Sequence, residues 1–225
     1  GDNMAKKRIS DVLIEVLANA GIERIYGITG DSLNSVNDSL RRNGKIAFEH
    51  VRHEETAAFA AGAEAALTHK LTVCAGSSGP GNLHLINGLF DCHRNRVPVL
   101  AIASHIPQSE VGLNYFQETH PENLFKECSC FCELVSNPKQ MPEILFRAMN
   151  AAIGNQDVAV IVLPGDVAVM EMEIDELPVW NQPRLPHIVP QHDDIEEMAA
   201  HLETGKRITL FCGAGCEGAH DEVVE

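Results

Sequence analysis

The sequence predicts an α/β protein: a parallel sheet with helices on both faces, followed by the start of a second α/β unit. Three observations carry this. Apolar segments of strand length alternate with segments of helical period from Ser10 to Leu163. The run from Val97 to Ala103 is continuously apolar, the pattern of a strand covered on both faces. Turns of Gly, Ser, Asp and Pro fall where strands give way to helices, at Gly27 to Ser32 and at Gly76 to Gly81.

Taken in order, Ser10 reads as an N-cap, Val12, Leu13, Val16 and Leu17 make an apolar helical stripe, and Gly21 stops it. Ile22 to Tyr26 is a short strand. After the turn at Gly27-Ile28-Thr29-Gly30, Asp31 or Ser32 caps a helix running to Leu40. Lys45 to Val51 is the next strand and Glu54 to Thr68 the next helix. Leu71 to Ala75 is a strand, and Asn82 to Cys92 a helix beyond the glycine loop. A long connection spans His105 to Phe125. Phe131 to Val135, Met141 to Ile153 and Val158 to Leu163 then read as strand, helix and strand. Crossovers are expected to be right-handed, with chemistry at the strand carboxyl ends.

From Pro164 to Pro190 the composition shifts. Pro164, Pro178, Pro183, Pro186 and Pro190 fall here without helical or strand period, as in an inter-domain linker. Beyond it, Asp193 to Leu202 reads as a helix, Ile208 to Phe211 as a strand, and a helix begins near Ala219. One strand and two helices cannot bury a separate core, so the sequence is expected to stop inside its second domain. The expected organisation is a first domain over 4–163, a linker over 164–190 and the beginning of a second domain over 191–225. Gly1-Asp2-Asn3 ahead of Met4 looks like an expression scar.

A hydrophobic content of 44% in 225 residues is that of an ordinary soluble protein. No stretch approaches the 18 or so uninterrupted apolar residues of a membrane span, and no secretion signal is evident. A net charge of −15 argues against long-range attraction to nucleic acid or to an anionic membrane. It leaves room for a phosphate-bearing cofactor held by backbone N–H groups. The seven cysteines, with no signal, are expected to be reduced in the cytoplasm. Cys128, Cys130 and Cys132 alternate, which on a strand places them on one face. That is not common zinc spacing, and buried small apolar side chains are the favoured reading.

Four segments carry candidate chemistry. In Val51-Arg52-His53-Glu54-Glu55, a carboxylate opens an alanine-rich helix at the carboxyl edge of the sheet. Held short of water, it is a candidate for proton chemistry; the alternative is that Glu54 and Glu55 only complement the helix dipole. Gly79-Pro80-Gly81-Asn82 is a stiff, close-approach loop, with His84 two residues on; ordinary turn chemistry and a structural histidine are the plain readings. Phe116-Gln117-Glu118 lies in the longest loop, functional or a surface excursion. Gly213, Gly215 and Gly218 match a phosphate-binding glycine pattern, and equally a plain strand-to-helix turn.

Together these segments resemble the N-terminal pyrimidine-binding domain of thiamine diphosphate enzymes. The resemblance rests on Tyr26 to Asn34, on Arg52-His53-Glu54-Glu55, and on Gly79-Pro80-Gly81-Asn82-Leu83-His84-Leu85-Ile86-Asn87-Gly88. The run Asn87 to Leu100 and Tyr115-Phe116-Gln117-Glu118 look most like the pyruvate oxidase and pyruvate dehydrogenase (quinone) family. The resemblance implies that Glu54 is the cofactor-activating carboxyl group, working at the pyrimidine. It implies that Gly30, Asp31, Ser32, Gly79, Pro80, Gly81, Asn82 and His84 border the cofactor. Asp31, Ser32, His84, Phe116 and Gln117 would face the reacting carbons or the substrate carboxylate. Gly213 and Gly215 stand where contacts to FAD would begin. The implied activity is oxidative decarboxylation of pyruvate, with electrons passing to quinone, or to oxygen, in a cytoplasmic homodimer or homotetramer that binds no nucleic acid and touches the inner face of a membrane only through other regions. Mg2+ and the diphosphate would be held by a later domain of another subunit, so none of these residues is expected to be a metal ligand and the 225 residues alone are expected not to turn over. The competing expectations are an acetohydroxyacid synthase or other 2-keto acid decarboxylase, and a non-catalytic nucleotide-binding regulatory module.

Overall fold

The computed structural model describes residues 5–225; the domain start at Met4 and the Gly1-Asp2-Asn3 segment lie outside them. The elements run β1 (Ala5–Arg8), α1 (Ile9–Asn19), β2 (Arg24–Gly27), α2 (Asn34–Asn43), β3 (Ala47–His50), α3 (Glu54–Thr68), β4 (Thr72–Gly76), α4 (Pro80–Arg94) and β5 (Val99–His105). After a long loop come α5 (Pro121–Leu124), β6 (Phe131–Leu134), α6 (Met141–Asn155), β7 (Val158–Pro164), α7 (Gly165–Val169) and β8 (Glu171–Ile174). Two further helices, α8 (His192–Glu203) and α9 (His220–Val224), follow. The chain divides into two units, one ending at Leu185 and the other Pro186–Glu225.

In the first unit six parallel strands lie in the order β3-β2-β4-β5-β7-β6. Every residue of β4, β5 and β7 is buried, because helices cover both faces. The strand period of two sorts their side chains. Val73, Leu100, Ile102 and Ile161 pack with α1, α2 and α6, whereas Cys74, Ala101, Ala103, Val160 and Val162 pack with α3 and α4. The order reverses between β2 and β4 and again between β5 and β7. Loops at the strand carboxyl ends diverge there and open crevices.

The small residues of α3 set its distance from α4. A Cβ on Gly88 would lie 2.5 Å from the Ala58 Cβ, and one on Gly62 would lie 2.6 Å from Cys92 Sγ. The two helices therefore pack backbone to backbone, which fixes the α3 N-terminus against the α4 N-terminus.

Several expectations are corrected. Ser10 is not an N-cap: α1 begins at Ile9, and the buried Ser10 accepts a hydrogen bond from Ser39 Oγ at 3.0 Å. Asp31 and Ser32 make no capping bond; they belong to a 3-10 turn, Asp31–Leu33, ahead of α2. The stretch read as linker from Pro164 is partly ordered structure of the first unit. It holds α7 and β8, and β8 pairs antiparallel with β1, Ala5 opposite Ile174. Neither strand has a strong local signal, and each is made by the other. Only Cys132 of the three alternating cysteines lies in β6, and Cys130 is exposed. Ile208 to Phe211 is not a strand. Ile208, Leu210 and Phe211 are all exposed, and an apolar run forms a strand only where a neighbouring strand supplies ladder hydrogen bonds.

Candidate functional site

Glu54 is the first residue of α3. His53 caps the helix, its Nδ1 accepting from the Glu55 N–H at 3.2 Å. Glu54 points inward and is 8% exposed. Its Oε2 lies 3.0 Å from His84 Nδ1 on α4. Its Oε1 has no hydrogen-bond partner among the described residues and faces Gly81, where an added Cβ would lie 3.3 Å away. Glu55, one residue on, points outward and accepts from Asn87 Nδ2 at 2.9 Å. The adjacent carboxylates thus have different surroundings: one buried, with an oxygen left over, the other a surface tie between helices. The His53 and His84 rings stack with centroids 4.2 Å apart.

The Gly79–Gly81 turn is held from three sides. Gly79 has φ +68°, and a Cβ there would come within 2.7 Å of the Gln117 Cβ. Pro80 opens α4 at a position that has no intrahelical N–H bond to lose. Asn82 is wholly buried; its Nδ2 donates to the Ser104 carbonyl at 2.8 Å, tying α4 to the end of β5. It therefore positions the turn from behind. On the β2 side, Ser32 Oγ lies 2.9 Å from Ser77 Oγ and accepts from the Ser78 N–H at 2.9 Å. Gly30 is where the chain passes Ser77, since a Cβ there would meet Ser77 Oγ at 2.4 Å.

Beside the turn lies a cavity of about 280 Å³, lined among others by Asp31, Ser32, Ser78, His105, Phe116 and Gln117. Glu54 does not line it; the turn touches Gln117 through Gly79 and Glu54 through Gly81. Gln117 holds φ +64° and approaches Ser78 Oγ with its Oε1 at 3.3 Å. Phe116 is largely exposed at the rim. The loop that presents them is drawn in by Glu118, whose carboxylate accepts from the Gly112 and Tyr115 N–H groups at 2.5 and 3.1 Å. Those backbone donors hold its carboxyl below the usual range.

The structure therefore brings Gly30, Asp31, Ser32, Gly79, Pro80, Gly81, Asn82, His84, Phe116 and Gln117 to the same sheet edge as Glu54. Gly213 and Gly215 lie in the second unit, Gly213 just ahead of an exposed 3-10 turn (Ala214–Cys216) and Gly215 within it, with no strand before the turn. The strand that a dinucleotide loop needs ahead of its turn is not formed, and the helix after it, α9, is five residues long. Sequence reasoning missed Ser77, Ser78 and His105. The serines stand directly before Gly79, in a loop already singled out. His105 ends the apolar strand β5, and a polar residue closing such a run at its carboxyl end was the available signal. It is buried, its Nδ1 has no partner among the described residues, and burial lowers its pKa, which keeps the ring neutral near pH 7.

Comparison with known proteins bears on this arrangement. A family model described as thiamine pyrophosphate enzyme, N-terminal TPP binding domain, matches residues 7–124. An uncharacterized 42.6 kDa protein from an isoamylase 3′ region of Pseudomonas amyloderamosa is 57% identical over 223 residues, covering 99% of this chain and 56% of that protein. Pyruvate oxidase of Lactiplantibacillus plantarum is 32% identical, covering 94% of this chain and 36% of the oxidase. Chloroplastic acetolactate synthase of Arabidopsis thaliana is 28% identical, covering 95% and 32%. The chain thus spans about half the length, or less, of these curated relatives.

Proposed function

Because the chain belongs to the family of N-terminal TPP binding domains of thiamine pyrophosphate enzymes, we propose that it supplies the pyrimidine side of a thiamine diphosphate site in an enzyme that oxidatively decarboxylates pyruvate, using FAD and passing electrons to quinone or oxygen. The observation that carries the reading is the Glu54 carboxyl group, buried at a helix start with Oε1 free and Gly81 against it. A pyrimidine ring nitrogen would find its hydrogen-bond partner in Oε1, and Gly81, having no Cβ, leaves the approach to that oxygen uncrowded.

When bound, thiamine diphosphate supplies the carbon nucleophile and electron sink for 2-keto acid decarboxylation. The chain's residues do the rest of the work assigned here. Glu54 Oε1 would exchange a proton with a ring nitrogen held against it. His84 holds Oε2, which orients the carboxyl group. The Ser32, Ser77 and Ser78 bonds keep the Gly79–Gly81 turn in place. Phe116 and Gln117, at the neighbouring cavity, receive the substrate. Mg2+ and the diphosphate fall to a further domain, contributed by another subunit of a homodimer or homotetramer. Gly213 and Gly215 do not fit a flavin contact as they stand, so the flavin part of the reading rests on sequence resemblance to the pyruvate oxidase family.

Glu54→Gln in the intact protein tests the reading. Thiamine-dependent consumption of pyruvate should fall about 10²–10⁴-fold, the range for loss of an acid–base group. Unchanged turnover would remove Glu54 from the chemistry, and absence of thiamine-dependent turnover in the parent protein would leave a regulatory nucleotide-binding module instead. The similarity to acetolactate synthase supports a second reading. Flavin reduction by pyruvate favours the oxidase; acetolactate formation without net flavin reduction favours the synthase.

A further inference from the structure

The N-termini of α3 and α4 bring together three donors that the thiamine reading uses only in part. His53, Glu54 and His84 each present one ligand atom, all within 4.8 Å of one another. We propose that these residues form a binding site for a borderline divalent transition metal, Zn2+ being the type, filled when the pyrimidine is absent.

The donor chemistry selects this class of ion. Two imidazoles and a carboxylate suit Zn2+, Co2+ or Ni2+, whereas Mg2+ and Ca2+ take oxygen ligands. Glu54 Oε2 and His84 Nδ1 are already 3.0 Å apart. Neighbouring ligands of a tetrahedral ion with bonds of about 2.0–2.1 Å stand about 3.3 Å apart, so this pair is nearly at the required spacing. His53 Nδ1 is occupied by the Glu55 N–H, which leaves Nε2 as its metal-facing nitrogen. The stacked rings close on an ion by turning about χ2, and both have room: His53 is exposed and the His84 side chain is nearly half exposed.

The frame under the ligands is rigid. The Gly88 contact and the Asn87–Glu55 hydrogen bond fix α3 against α4, so the ion orders only two rings and does not assemble two helices. The positive end of the α3 dipole opposes a cation here, but that opposition is a small fraction of the binding energy of a three-ligand zinc site. Three protein ligands leave a coordination position open to water. The site stands on its own geometry. Its antagonism to the cofactor rests on the thiamine reading, because both claim the Glu54 carboxyl group; the metal would then be an inhibitor of cofactor loading.

Co2+ is the probe, added to the intact protein freed of thiamine diphosphate and followed by its visible d–d absorption. One ion per chain should develop the spectrum of a low-symmetry site, Zn2+ should bleach it and an equal concentration of Mg2+ should not. His53→Asn keeps a capping acceptor on α3 and should weaken Co2+ binding at least tenfold with an unchanged circular dichroism spectrum; His84→Asn should do the same. No absorption, or absorption that survives both substitutions, overturns the site. Thiamine diphosphate should displace the ion. A cobalt site that forms but resists the cofactor keeps the metal proposal and defeats the placement of thiamine at Glu54; cofactor binding without any cobalt site does the reverse.

Discussion

At the residue scale, two neighbouring glutamates show how one helical step changes chemistry. Glu54 and Glu55 share a dipole and a cap, yet only Glu54 turns inward, its Oε1 3.3 Å from where a Cβ on Gly81 would lie. Gly81→Ala should therefore weaken thiamine diphosphate binding more than it lowers the melting temperature, read by cofactor titration beside thermal denaturation. Gly79→Ala should do the opposite. Its φ of +68° and the 2.7 Å approach to Gln117 make an alanine strained, costing about 1 kcal/mol or more in a denaturant titration. His105 makes a pH prediction. Burial lowers its pKa in the fold, while Glu122, Glu118 and Asp166 pull upward and His120 downward. The unfolded state then holds more protons just below the ordinary histidine value of about 6.5, so stability present above that pH is lost as the pH falls through the folded value. Melting temperatures measured between pH 7.5 and 5 should drop more steeply for the parent protein than for His105→Asn.

At the element scale, the α3–α4 contact holds the site together. Gly88→Ala would press a methyl group into Ala58 at 2.5 Å and onto the Glu55 carbonyl at 2.8 Å. Overpacking of this kind costs about 1–3 kcal/mol, and a chemical denaturation midpoint would report it. Across the sheet, Asp38 of α2 binds Arg8, Arg41 and Arg42, and Arg42 also pairs with Asp11 of α1. The three guanidinium groups hold the Asp38 carboxyl well below the usual carboxylate range. A depressed acid stabilises the fold above its unfolded pKa of about 3.9 and loses that contribution as the pH falls below it. Asp38→Asn should therefore lower the melting temperature at pH 7, and the difference should narrow on acidification below pH of about 4. The pairs are partly open to solvent, so added salt should shrink the difference as well.

At the scale of the whole molecule, the first unit carries the sheet, both faces of packed helices and the candidate site. No residue from 186 to 225 is buried. The segment 181–191 has no regular secondary structure and is mostly exposed. Brief proteolysis should cut there first, and the fragment ending near Leu185 should melt as cooperatively as the longer chain. Early cleavage inside β5 or β7 would contradict this picture.

Elements whose signals are local can be placed from residue order alone. The helix Glu54–Thr68 is legible from its start, because a carboxylate-rich first turn and a run of small side chains need no distant partner. The doubly covered strands were legible as apolar runs, and from the glycine–proline turn and the two glutamates the family followed. Tertiary structure alone decided the rest. β1 and β8 exist as strands through each other, about 165 positions apart. Ser32 has the local signature of a helix cap, but its hydroxyl is taken by Ser77 and Ser78, forty-five and forty-six positions on. His105 and Gln117 share a cavity only because the sheet order reverses beside β5. A hydrogen bond or a packing contact between distant segments leaves no periodicity in either, so the short-range pattern named the kind of site and the fold chose which atoms meet in it.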